Sequence, residues 1–207
     1  MSTHLGTGVA GPLDGVVRRH GATMTVQHGR SVAAHFGSAG SEAAVCRSTV
    51  GIADRCDRST LELRGSPSDL ELAFDALAPM GTQAWSIRPT PRRAVVRCEA
   101  LSTDGLTAIV AATEAVSLDV SDRYAAIEVV GPHARELIAA LGRSAGPAPM
   151  VLRESDDAFE LLTDSAAGGA LWDELLHRGR TLGVACVGLE ALEHLAVSQR
   201  LTRRRLS

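Results

Sequence analysis

Few residues in this chain are of a type and spacing that could do chemistry. Glu160 stands in AFELL (residues 158–162), an acid between apolar neighbours near the start of what reads as a strand. A carboxylate held there can accept two N–H bonds from a planar heterocycle, a charge-assisted contact. Just before it, RESDD concentrates Glu154, Asp156 and Asp157, which read as a solvated turn. In LEALEHL, Glu190 and His194 are four apart with Glu193 beside them. Such a spacing can hold a metal, but no second cluster completes a ligand set, so a surface ion pair is the better reading and no metal is expected. His133, in the first turn of a helix, could meet an anion but reads as a surface polar residue. Cys46 and Cys56 flank RSTVGIADR without a histidine at a fixed spacing, which argues against a thiolate nucleophile. GTGVAG (Gly6–Gly11) has the letters of a dinucleotide fingerprint, but it follows no strand and runs into Pro12, so it reads as a chance match. There is no Gly-x-Ser-x-Gly elbow. The chain contains no lysine, which excludes a Schiff base or a P-loop lysine. No catalytic residue is therefore assigned.

The 207 residues suffice for one large domain or two small ones, and 45% hydrophobic content supports a substantial core. A net charge of −3 and 3% aromatics give neither the basic field nor the stacking platforms of a nucleic-acid binder. No apolar run approaches the roughly 18 residues of a membrane span, and the N-terminus lacks the pattern of a signal peptide. Cys46, Cys56, Cys98 and Cys186 form no CxxC pair, so they read as reduced, mostly buried thiols of a cytoplasmic protein.

The elements that must position Glu160 follow from periodicity. Residues 1–20 are Gly-rich and weakly patterned, a flexible lead-in. ATMTVQH reads as a short strand, and Ala43, Cys46 and Val50 share a helical spacing that Gly51 would end. STLEL alternates as a half-buried strand, Gly65 turns the chain, and Ser66, Pro67 and Asp69 form a helix start with a capping box. Leu70, Ala73, Phe74 and Leu77 then make one apolar face. The device recurs: YAAIEVV, Gly131, Pro132 as first helical residue, then Ala134, Leu137, Ile138 and Leu141, with Gly142 as C-cap. The two glycines lie 66 residues apart and the two apolar faces 64 apart. AVVRC and LTAIVAA (106–112) read as strands, as do AFELLTD and GVACVG. A Gly/Pro linker (146–149) precedes AFELLTD. ALWDELLHRG and LEALEHLAVSQRL read as helices, and residues 202–207 form a basic tail. The alternation predicts an α+β protein, a mixed or antiparallel sheet with helices on a face.

Taken in order, CRSTVGIADRCDRSTLELRGSPSDLELAFDAL, VSDRYAAIEVVGPHARELIAAL and the stretch from ESDDAFELLTD through LEALEHLAVSQRL resemble the aminomethyltransferase family, the glycine cleavage T-protein and its folate-binding relatives, over roughly residues 20–201. The resemblance implies a T-protein-like folate-binding fold over 21–201, made of two intertwined subdomains, without the family's C-terminal β-barrel. It implies that tetrahydrofolate is the cofactor and that Glu160 is its pterin-binding residue. It also exposes departures. The family's last-helix arginine falls at Leu192, a second falls at Ala196, and the strand that should carry the catalytic aspartate falls at Arg93–Val96, with Glu99 the nearest acid. A missing acid removes a contribution of roughly 10²–10⁴-fold. The resemblance thus implies a non-catalytic subunit that packs on a protein partner in one-carbon or amine-oxidising chemistry, like the gamma subunit of heterotetrameric sarcosine oxidase. The alternative is a tetrahydrofolate-dependent aminomethyltransferase with rearranged groups, drawing on Glu160 and on Asp104 or Glu99.

Overall fold

The computed structural model describes residues 8–78, 84–99, 103–142, 148–153 and 155–196. In chain order, β1 (Val9–Ala10), α1 (Asp14–Arg19), β2 (Thr23–Gln27), β3 (Arg30–His35), α2 (Ala39–Ser48) and β4 (Val50–Asp54) precede two β-α-β-β-α-β runs. The first run is β5 (Arg58–Arg64), α3 (Pro67–Leu77), β6 (Ala84–Thr90), β7 (Arg93–Glu99), α4 (Thr103–Ala111) and β8 (Val116–Asp119). The second is β9 (Tyr124–Val130), α5 (Ala134–Leu141), β10 (Met150–Arg153), β11 (Ala158–Asp164), α6 (Gly168–Arg178) and β12 (Val184–Cys186). A last helix, α7, covers residues 189–196.

From β5/β9 to α4/α6, corresponding elements of the two runs start 65 to 67 positions apart. The strand–Gly–helix device of the sequence is therefore the opening of a longer internal repeat. The first run forms a four-stranded antiparallel sheet in the order β6-β7-β5-β8, a split β-α-β arrangement of ferredoxin-like type. The second keeps that order but admits a strand from outside the run, giving β10-β11-β9-β4-β12 with β12 parallel to β4. By chain contacts the first run, Asp57–Tyr124, is one unit. The second run and the N-terminal segment up to Cys56 make the other.

Each sheet buries alternate residues under its own helices. In the Asp57–Tyr124 unit, Leu61, Leu63, Ala94, Val96 and Cys98 meet Leu70, Ala73 and Leu77 of α3 and Leu106 and Val110 of α4. In the other unit, Val50, Ile52, Ile127, Val129, Phe159 and Leu161 meet Leu137 and Leu141 of α5 and Trp172 and Leu175 of α6. Local chemistry fixes the helix starts. Ser66 Oγ accepts from the Asp69 N–H (3.2 Å) while Asp69 returns a bond to the Ser66 N–H (2.8 Å), the predicted capping box. Gly131 turns with φ +129°, where a Cβ would stand 2.5 Å from the Thr49 carbonyl oxygen.

Four expectations are corrected. Residues 106–112 lie on helix α4 and just past it, not on a strand, with Leu106 and Val110 buried one turn apart. Where residues 1–20 predicted a flexible lead-in, residues 9–19 supply a strand, a helix and the core side chains Leu13, Val16 and Val17. Gly51 does not end α2. It lies inside β4, where a Cβ would meet Cys46 Sγ at 2.6 Å, so its smallness serves packing. Pro132 precedes α5, whose N-cap is His133.

Candidate functional site

Glu160 sits on β11 opposite Leu152 of β10 and is completely buried, 0% exposed. Its neighbours Phe159 and Leu161 point into the α5/α6 core, so Glu160 and Leu162 fall on the opposite face of the sheet. Glu128 of β9 shares that face, because Ile127 and Val129 also point to the helices. Arg55, at the end of β4, forms a buried ion pair with Glu128. Next to it, Asp54 Oδ1 accepts from the Cys56 N–H (3.0 Å). This face is covered in part by α2 and α7: Ala43, Cys46, Ala53, Val187, Ala191 and Leu192 form one apolar cluster. Leu192 is 9% exposed and packs as a core residue, while Ala196 is exposed. One carboxylate ties the cover down. Glu42 Oε1 accepts from the Phe36 and Gly37 N–H groups (2.8 and 2.9 Å), and its Oε2 accepts from the Gly188 N–H (2.8 Å) at the head of α7.

The Asp57–Tyr124 unit has its own charged interior on the face away from α3 and α4. Glu62 of β5 is buried and accepts from Arg93 Nε (2.7 Å) and Arg64 Nε (2.5 Å), and Arg93 also reaches the Tyr124 hydroxyl. Burial alone would raise the Glu62 pKa, but the Arg93 and Arg64 guanidiniums hold it below the ordinary glutamate range. Arg97 is buried, and its Nη1 donates to the Arg58 carbonyl (2.9 Å) and to Thr60 Oγ1 (2.6 Å). The strand at Arg93–Val96 thus carries Arg93 and three buried apolar residues, and Glu99 at its end pairs with Arg58 (3.3 Å). Asp104 is exposed in the first turn of α4.

The remaining candidates scatter. Glu190, Glu193 and His194 are exposed on α7, and no metal-holding group of acids, cysteines and histidines occurs among the described residues. His133 pairs with Glu136 (3.3 Å). Asp156 and Asp157 are exposed in the β10–β11 turn, whereas Glu154, Gly6 and the 202–207 tail lie outside the described residues. Val9 and Ala10 of GTGVAG form β1 itself rather than following a strand. Three of the thiols, Cys46, Cys98 and Cys186, are unsuited to nucleophilic attack. Burial, with the charges of Glu128 and Glu42, pushes Cys46 up to about 12; burial takes Cys186 to about 11 and raises Cys98 as well. The residues that sequence reasoning missed are Glu62 and Glu128. Both are acids between apolar neighbours in a strand, the same signal that singled out Glu160, and they occupy equivalent places in the repeat.

No protein-family model and no curated protein matches this sequence. Solved structures do. Glycine cleavage system aminomethyltransferase T from Bartonella henselae superposes with a TM-score of 0.68 at 16% identity over 89% of this chain. A chain of heterotetrameric sarcosine oxidase from Corynebacterium sp. U-96 does so at 0.54 and 12% identity over 84% of this chain, covering 96% of its own length. The present chain spans 61% of the length of the aminomethyltransferase. No helix among the described residues is long and apolar enough to cross a membrane. The architecture is accordingly the α+β fold of these aminomethyltransferase T and sarcosine oxidase chains.

Proposed function

We propose that this chain is a T-protein-like subunit linked to folate-dependent one-carbon or amine metabolism, without aminomethyl-transfer chemistry of its own. It assembles with a protein partner, as the gamma subunit of heterotetrameric sarcosine oxidase does. The observation that carries this reading is the packing of Leu192: the position that resemblance assigns to a ligand-facing arginine lies in an apolar cluster. A lost charged hydrogen bond of that kind weakens binding by about 1.5–3 kcal/mol. Two further observations agree with it. Glu160, the residue that would hold the pterin, has no exposed surface. The strand at Arg93–Val96 offers a guanidinium and apolar side chains where an acid would assist the reaction. The residues present therefore do not fit tetrahydrofolate as a catalytic cofactor. The four reduced thiols, two of them buried, suit a cytoplasmic setting.

The test is paired. Titration calorimetry with tetrahydrofolate should give no binding in the micromolar range, and an aminomethyl donor should not turn over. The native protein should copurify in fixed stoichiometry with a chain of an amine-oxidising or one-carbon enzyme. Micromolar binding with turnover would instead make the chain a transferase with rearranged groups.

A further inference from the structure

Among the described residues, the four-stranded sheet ends at β8 and no strand pairs with its outer edge. The Val120 N–H donates to the Thr60 carbonyl (2.9 Å), so residues 116, 118 and 120 direct their main-chain groups to β5. Ser117 and Asp119 therefore direct their N–H and C=O groups outward, giving a partner up to four ladder bonds. On the face away from α3 and α4, Val116 and Leu118 stand side by side, 57% and 41% exposed. Natural sheets commonly blunt an edge with basic side chains, proline or a bulge. Here β8 has none of these. Its surroundings are acidic: Glu114, Asp119 and Asp122 are exposed. Of the nearby bases, Arg64 and Arg93 are both engaged by Glu62 (2.5 and 2.7 Å) and Arg123 lies beyond the strand.

The other unit's sheet carries five strands. In the second run's sheet, β4 holds the place beside β9 that β8 holds beside β5, and β12 lies beyond it as a fifth strand. Among the described residues, the first run's sheet has no fifth strand outside β8.

We infer that β8 is a docking edge, where an extended, basic segment of a partner protein adds as a fifth strand, its main chain pairing with Ser117 and Asp119 and its apolar side chains covering Val116 and Leu118. Main-chain pairing supplies the affinity, and the acidic rim selects the charge of the occupant. The inference rests on the reading of this chain as a partner-bound subunit and names the surface used.

The probe is an end-blocked peptide alternating valine and arginine, titrated into the full chain by fluorescence anisotropy. Three peptides are compared: the basic one, its backbone N-methylated form and a valine/glutamate version. The basic peptide should bind at least about tenfold more tightly than either control. Ser117→Pro removes an outward N–H without touching the ladder to β5. It should weaken binding by at least about tenfold at an unchanged melting temperature. Val116→Asp, at an exposed position, should do the same and guards against a fold defect in the proline variant. Slowed amide exchange at Ser117 and Asp119 on binding would support the pairing. Absent binding, equal binding of the N-methylated peptide, or indifference to both variants would overturn it. A homodimer of the peptide-free chain abolished by Ser117→Pro would also overturn it, assigning the edge to a second copy. Copurification of a partner that survives Ser117→Pro would remove this edge from the interface while leaving the subunit reading intact.

Discussion

Removing the Glu42 carboxylate should release α7. Its two oxygens accept three main-chain N–H groups, two in the β3–α2 loop and one at Gly188. A hydrogen bond to a charged group is worth about 1.5–3 kcal/mol, and a buried donor left without an acceptor carries its full desolvation cost. Water can replace part of the loss at Phe36 and Gly37, whose bonds are only part-buried, but not at the buried Gly188 N–H. Glu42→Ala should therefore cost about 3–5 kcal/mol, against a total stability of about 5–15 kcal/mol for a protein of this kind. Glu42→Gln keeps one acceptor oxygen for the Phe36/Gly37 pair but turns an amide donor toward Gly188, so it should cost about 2–3 kcal/mol. Urea unfolding followed by circular dichroism reads the global effect as a lower midpoint at constant slope. Hydrogen exchange over residues 188–196 reads the local one, and those amides should lose protection first. If Glu42→Ala unfolds within about 1 kcal/mol of the parent, the three bonds do not hold the helix and the reasoning fails.

Leu192→Arg would bury a guanidinium in the cluster with Ala43, Cys46 and Ala53, and should lower stability by several kcal/mol. An unchanged melting temperature would show that this face of α7 is open to solvent. Phe74 is half-buried and carries Arg88 over its ring at 4.5 Å, so Phe74→Ala should fall near the lower end of about 3–5 kcal/mol in the same urea assay. Cys46 and Cys186, at about 12 and 11, should resist a disulfide reagent at pH 8 in the folded protein and react in urea; rapid labelling of either would contradict their burial. The folded-state pKa of Glu62 lies below the ordinary glutamate value of 4.5. Its stabilisation is therefore complete above that value and is lost as pH falls through the lower, folded-state one. Glu62→Gln should flatten the fall of melting temperature on the acid side of pH 4.5, and an unaltered profile would mean that the Arg93 and Arg64 contacts are not formed in solution.

What could be read from the sequence was local. The Ser66 cap, Pro67 and the apolar face of α3 are contiguous signals, and each appears in the structure as expected. Residues 106–112 misled because Leu-Thr-Ala-Ile-Val has no polar face of its own. Leu106 and Val110 are one helical turn apart, yet the β-branched residues between them carry a strand signature. The repeat was recognised only at its first strand and helix. Farther along, β7 brings Arg93 and Arg97 where β11 brings Ala158 and Leu162, so topology persists after side-chain likeness has gone. Glu160 stood out, whereas Glu62 and Glu128 did not, because an arginine partner of each comes from a residue distant in sequence: Arg93 for one, beside the nearby Arg64, and Arg55 for the other. The non-local part of the site was invisible for that reason.

The insertion of β4 between β9 and β12 has a consequence for the order in which the molecule is made. β4 leaves the ribosome early, yet both of its sheet neighbours are encoded beyond Asp57–Tyr124. At roughly 5–20 residues per second, several seconds pass in which Val50–Asp54, an apolar strand with two bare edges, has no native partner. The continuous Asp57–Tyr124 segment can close its own sheet during that interval. The residues that flank it are neighbours, since the Arg55 N–H donates to the Ala126 carbonyl (3.0 Å). A nascent chain would thus carry a finished module looped out from an unfinished one, and the waiting β4 strand is the segment that a ribosome-associated chaperone would have most reason to shield.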